Sequence, residues 1–445
     1  MMDQMQQANA YRSEFERLCA EHAATEPGWF GNTRKNAWAC FQSLGFPDAS
    51  EEDWRFTNIA EIARTEFQPG RVRHAPCSAR DMEAYLLRDA AATLVFVNGR
   101  FQKEASSRAA LPAGMMVEEL AGAMASDSSD ACSRLTQLAR HEAYPLVALN
   151  TALFREGALV YVPREACVQG TIQLLFVTDA GTEATMTHPR VLIVTDAGSS
   201  VSVVETYIGS GRYFTNAVTE IDAGAGSIVD HYKIGRESDD AYHLSTLAIA
   251  QGRDSRVSSQ VIALNGKLAR HDINTRFGGE GGTCNLRGLS VVGGDRHVDN
   301  HLRIDHAKAH CDSREFFKSV VGGTGRSVFT GRIMVREGAQ KTDAKQTNQT
   351  LLLSREARVE SRPQLEILAD DVKCTHGATV GQIDETALFY LRSRGLSQDA
   401  ARSLLVYGFA RACLDEIKLD SLKRQMAELV LTGLDTITGS SVTKG

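Results

Sequence analysis

Apolar and polar positions follow three rhythms along this chain, and the changes of rhythm divide it. Over residues 1–90 the spacing is helical: Tyr11, Phe15 and Leu18 recur every three or four positions, as do Trp38, Phe41 and Leu44. Turn-prone stretches, Glu26-Pro27-Gly28 and Gly45-Phe46-Pro47-Asp48, interrupt these helices. From 91 to 375 the text changes to short β-rich runs ended by Gly, Asp or Asn, among them 94–97, 159–162, 172–177, 191–195, 201–204, 257–264, 289–292 and 327–335. In the last of these Phe329, Ile333 and Val335 fall on one face and Thr330, Arg332 and Arg336 on the other, a two-residue period. Residues 376–445 return to helix. Asp384 reads as an N-cap before Leu388 and Leu391, Gly395 as a stop, and Ser397 as the cap of a helix carrying Leu404, Leu405, Gly408 and Ala412. A third segment carries Leu422, Met426, Leu429 and Val430.

Between the β runs no long helical pattern intervenes, with 112–142 as the one partial exception, so a doubly wound sheet is disfavoured. A sandwich, a propeller and a β-solenoid stay open. Turns rich in Gly and Asn, with only nine prolines in 445 residues, suit a solenoid whose stacked coils bury one face. The three helical segments at the end read either as a cap on the β core or as a docking surface.

Charge changes the picture little. Lys plus Arg number 49 against 55 for Asp plus Glu, a net charge of −6, so neither nucleic acid nor a membrane surface is expected as a partner. Nowhere do about 18 apolar residues run together, which excludes a transmembrane helix. The opening MMDQMQQANAYRSEFERL lacks a basic stretch followed by an apolar one, so a cytoplasmic protein is expected. Its nine cysteines (Cys19, Cys40, Cys77, Cys132, Cys167, Cys284, Cys311, Cys374, Cys413) are then mostly free thiols, and with no CxxC pair neither a disulfide framework nor a zinc ribbon follows.

Two groups could carry metal chemistry. His297, His301, His306 and His310 cluster beside Cys311. Read as a helix, His297 and His301 share a face and resemble a zinc pair. Read as a strand, His297, Asp299, His301, Arg303 and Asp305 line one side while Val298, Leu302 and Ile304 line the other, and His306 falls on the apolar parity. The strand fits better because the apolar residues segregate. The second group lies in 366–377, which as one strand puts Leu368, Asp370, Val372, Cys374 and His376 together. Thiolate plus imidazole suits iron–sulfur, zinc or copper species, but two ligands do not complete a site, so further donors would come from elsewhere. The Gly322-Gly323-Thr324-Gly325 stretch lacks a phosphate-loop lysine and leads into a strand, so it reads as a turn. The ten Lys or Arg against six Asp or Glu in 296–345 read as a solvated face.

Four runs nevertheless resemble the SufB/SufD family of iron–sulfur cluster assembly scaffolds: LVFVNGRF (94–101), HVDNHLRIDHAKAHCDSREFFKSVVGG (297–323), GRSVFTGRIMVREGAQKTDAKQTNQTLLLS (325–354) and PQLEILADDVKCTHGATVGQIDETALFYLRSRGLS (363–397). Gly45-Phe46-Pro47 with Glu52-Asp53-Trp54-Arg55-Phe56-Thr57 adds to the likeness. Within the family the SufD branch is favoured, because Asn348 stands where the SufB branch has a cysteine and Gly377 where it has a glutamate. The resemblance implies a right-handed parallel β-helix between helical ends, and a complex of this subunit with a SufB-like paralogue and two SufC-like ATPase subunits. It implies that the ATPase docks on residues 384–432, that this chain binds no nucleotide itself, and that a cysteine desulfurase system acts only indirectly. It further implies a transient iron–sulfur cluster at the paralogue interface, with His376 as a ligand and Cys374 beside it. A homodimer in isolation is compatible with this. Two other readings remain: a polysaccharide-active β-helix enzyme using Asp299, Arg303 and Asp305, and a self-contained metalloenzyme built on His297, His301 and His306.

Overall fold

From Arg190–Thr195 onward each β run pairs in parallel with the run two further along the chain: Ser200–Ser210 with Ile228–Arg236, Tyr213–Ala223 with Tyr242–Gln251, and finally Asp343–Leu352 with Lys373–Gly381. Alternate strands therefore build two sheets, and the chain winds between them as a parallel β-solenoid of about eight turns. Ser200 pairs with Ile228 and Asp343 with Lys373, so one coil takes about thirty residues. This computed structural model describes residues 2–22, 26–71, 82–126 and 131–438; Cys77 and 439–445 lie outside the described residues. The first sheet ends with Arg358–Ile367 and the second with Lys373–Gly381.

Two-residue periodicity sorts the side chains. Inward positions such as Ile193, Val203, Val229, Ile273, Leu302, Ile333 and Val335 are fully or nearly fully buried and form one continuous core down the solenoid axis. Because pairing is in register, inward residues stack in columns from coil to coil. At the start of the solenoid Asn98 and Gly99, both with positive φ, turn the chain from Ala90–Val97 into Arg100–Phe101 as a tight hairpin.

The helical ends cover opposite outer faces. Tyr11, Leu18, Trp38 and Phe41, from helices Met2–His22 and Gly28–Leu44, pack with Phe214, Tyr242 and Leu244 of the first sheet. Val406, Ala410, Leu422, Met426 and Val430, from Gln398–Leu414 and Asp420–Thr438, pack with Tyr232, Ile262, Leu289 and Val320 of the second. Asp384 and Ser397 cap their helices through backbone N–H groups, and Gly395 ends the first of them with φ +96°.

Several expectations change. Leu44 and Leu404 are exposed, because one is the last residue before the Gly45 turn and the other rotates onto the solvent side of its helix. Within 112–142 the described α-helix is only Leu120–Ala125. Residues 366–377 are not one strand. Arg358–Ile367 ends, the chain turns over 368–372, and Lys373–Gly381 starts in the other sheet. That last strand carries the β region past 375, since its pairing with Asp343–Leu352 runs on to Gly381.

Candidate functional site

Strands Arg358–Ile367 and Lys373–Gly381 each pair along one edge only among the described residues, so the solenoid stops at an uncovered coil. Register places Cys374 beside Ala344, His376 beside Gln346 and Ala378 beside Asn348. Ala344, Gln346 and Asn348 are buried, so Cys374 and His376 lie on the inward parity, about 7 Å apart along the strand. With no described coil above them, His376 is exposed and Cys374 half-buried against the end of the core. Burial pushes the Cys374 thiol above its usual pKa.

The column behind His376 is polar. His231, Ser259, Leu286, Glu315, Gln346 and His376 follow one another in register, with Leu286 the sole apolar member of that run. Gln346 Nε2 donates to Glu315 Oε2, and burial pushes the Glu315 carboxyl up to about 7. Across the interior Gly331 makes room for this pair, since a Cβ there would overlap the Gln346 amide. Two residues further along the same strand as Gln346, Asn348 Nδ2 donates to Ser361 Oγ at 2.8 Å.

The histidines of 297–310 do not converge. Strand His297–His306 forms as the alternation predicts, with His306 turned inward, 2.9 Å from Ser313 Oγ, and held by burial at a pKa of about 4. His297 faces Thr57 Oγ1 at 3.2 Å, and burial lowers its pKa to about 4 as well. His310 sits exposed in a turn with φ 59°. His301 lies between Asp272 (3.3 Å) and Asp53 (3.4 Å). Among the described residues no three His, Cys, Asp or Glu side chains gather to hold a metal ion. The metalloenzyme reading loses its site because a strand sends alternate residues to opposite faces.

The row proposed for sugar chemistry is engaged in ion pairs, and Asp299 and Arg303 reach the N-terminal region. Asp299, buried, accepts from Arg270 Nη1 and Thr57 Oγ1, both at 2.6 Å. Arg270 lies 3.8 Å from the centre of the Trp54 ring and donates to the Asp53 carbonyl at 2.8 Å. Arg303 pairs with Asp53, and Asp305 with Arg336. The Glu52–Thr57 motif is therefore a clamp holding the N-terminal region on the first sheet.

His301 makes that clamp pH-dependent. Burial opposes its charged form, yet hydrogen bonds to Asp272 and Asp53 raise its pKa above the usual value. A raised imidazole contributes stability that is complete below about pH 6.5 and is lost as pH rises through the folded-state value. Urea midpoints of the wild type are expected to fall more steeply than those of His301→Gln as pH rises above about 6.5. Parallel slopes would show that His301 carries no charge in the clamp.

Comparison with known families now decides the assignment. Residues 176–409 match the model described as "SUF system FeS cluster assembly, SufBD core domain", and residues 4–174 match "SufBD protein N-terminal region". The chain belongs to the SufBD family. An iron–sulfur cluster assembly SufBD family protein of Synechocystis is 33% identical over 92% of each chain. The iron–sulfur cluster assembly protein SufD of Escherichia coli is 30% identical over 86% of this chain and 88% of its own, and that of Bacillus subtilis 26% identical over 91% and 94%. As a SufBD family member of SufD-like type, the protein is an iron–sulfur cluster assembly component.

Sequence reasoning passed over Arg270, Glu315 and Gln346. Glu315 left a readable signal, an acid on the parity of Phe317 and Val321, whereas Gln346 left none, because Asn348 and Thr350 share its parity. Arg270 left none, because apart from Asp272 its partners, Asp53, Trp54 and Asp299, are remote in sequence.

Proposed function

We propose that this SufD-like subunit abuts a SufB-like paralogue through the open end of its solenoid, and that a nascent iron–sulfur cluster is built across the junction as cargo, with His376 as one ligand. The observation that carries this reading is the pair of strand edges left unpaired among the described residues, at the coil where an inward-facing imidazole is exposed. An open edge offers a row of free backbone N–H and C=O groups that proteins seldom leave bare, and a second solenoid supplies matching strands. The paralogue then provides the sulfur donors that Cys374 and His376 alone do not. Without it, a second copy of this chain fits the same edges.

His376 is the ligand in this reading and Cys374 part of the rim. The thiolate is the ligating form, and the burial that raises the Cys374 pKa works against it. A SufC-like ATPase docks over 384–432, where Phe389, Tyr390, Leu404 and Leu431 are exposed while the other side of Gln398–Leu414 and Asp420–Thr438 holds the second sheet. Nucleotide hydrolysis belongs to that partner, this chain being a non-catalytic scaffold. A cytoplasmic setting keeps the thiols reduced, including the exposed Cys167.

The test is a complex reconstituted from this chain, the paralogue and the ATPase. His376→Ala is expected to assemble normally but to retain about tenfold less iron and sulfide, since losing a ligand costs at least as much as losing its supporting shell. Cys374→Ser should lose far less. Equal loading by His376→Ala would sink the assignment.

A further inference from the structure

We propose that the outer face of the first sheet binds a small polyanion in an arginine-lined groove, a site apart from Cys374 and His376. The groove encloses about 430 Å³ between loop 137–144 and the strands beside it, a volume usual for small-molecule sites. Five arginines line it: Arg140, Arg276, Arg303, Arg332 and Arg336. The one carboxylate in the lining, Asp305, is already shared, with Arg336 held at 2.7 and 2.9 Å and Arg276 at 3.7 Å.

The arrangement of the remaining three argues for a ligand. Arg303 and Arg332 are register partners on adjacent strands, which sets two like charges side by side, an unfavourable placement in a sheet. Asp53 neutralises Arg303, whereas Arg332 has only the neutral Gln364 side chain, its Nε donating to Oε1 at 3.0 Å. Among the described residues neither Arg332 nor Arg140 has a carboxylate partner. Small or slender side chains, Ala248, Ala250 and Met334, leave the floor low. A guanidinium fork matches phosphate and carboxylate oxygens two at a time. Two forks without counter-ions over a concave floor therefore fit a molecule bearing at least two anionic groups. The net charge of −6 argues against a nucleic-acid strand as that molecule.

Phosphate esters and polycarboxylates share this chemistry, and calorimetric titration of the purified chain with pyrophosphate and, separately, citrate distinguishes them. One probe is expected to bind saturably at one site per chain, more weakly as salt is raised; the tighter of the two names the source. Arg332→Gln should weaken that binding about tenfold, Arg332→Lys should restore only part of it, and Arg140→Gln with Arg332→Gln should abolish it. Thermal melts of these variants should match the wild type, because neither arginine carries an ion pair in the fold. No saturable binding of either probe below about 10 mM, or affinity unchanged in the double variant, would overturn the proposal.

Discussion

Arg190→Met is expected to destabilise the protein by about 3–5 kcal/mol, the range typical for removing one partner of a buried ion pair. Arg190 and Glu220 are both wholly buried, with Nη2 to Oε1 at 2.5 Å. Arg190 also donates to Asn150 Oδ1 (3.1 Å) and Thr151 Oγ1 (3.0 Å) of helix Pro145–Leu153. Glu220 accepts backbone N–H groups of Thr136, Leu138 and Ala139 at 2.9–3.0 Å. The pair thus pins a helix and a loop to the outer face of the first sheet. Methionine keeps the length of the side chain but strands an anion away from water. Replacing that anion too, as Arg190→Met with Glu220→Gln, keeps an acceptor for the loop and should recover a large part of the loss. Urea midpoints with an unchanged slope would measure both effects. A loss below about 1 kcal/mol for Arg190→Met would mean that water reaches the pair.

Glu315→Gln is expected to stabilise the protein above neutral pH. Burial raises the carboxyl pKa from 4.5 to about 7, which penalises the native state wherever the unfolded chain has already lost that proton. Below about pH 4.5 both states hold the proton and the penalty is absent; it grows as pH rises and is complete above about pH 7. A displacement of that size is worth about 3 kcal/mol. The amide still accepts from Gln346 and carries no charge, so the variant should gain on the wild type steadily across that window and hold its gain above it. Taking the difference between the two proteins at each pH cancels the His301 contribution, which both share. A difference independent of pH would show that Glu315 is not titrating inside the solenoid.

Much of the architecture was legible from alternation. Strand 327–335 showed its inward Phe329, Ile333 and Val335 before any coordinate did, and the parity of 297–306 already set His306 apart from His297 and His301. Local capping chemistry placed Asp384, Gly395 and Ser397 correctly, because each acts on backbone within a few residues of itself. The break between Ile367 and Lys373 was missed: Ile367-Leu368-Ala369-Asp370-Asp371 does not alternate, and its paired aspartates are turn-prone residues.

The order of residues by itself determined that the chain is β-rich between helical ends, that Cys374 and His376 share one side of a strand, and that the family is the SufBD one. Those properties are set by neighbours a few positions apart, or by a pattern of identities spread along the chain. Only the folded coils decided that His376 lies exposed at an uncovered end, that Glu315 and Gln346 stand in the column behind it, and that Arg270 joins Asp53 to Asp299. Each of these depends on partners a full coil or more away, where the register of stacked strands, and nothing local, chooses which side chains meet.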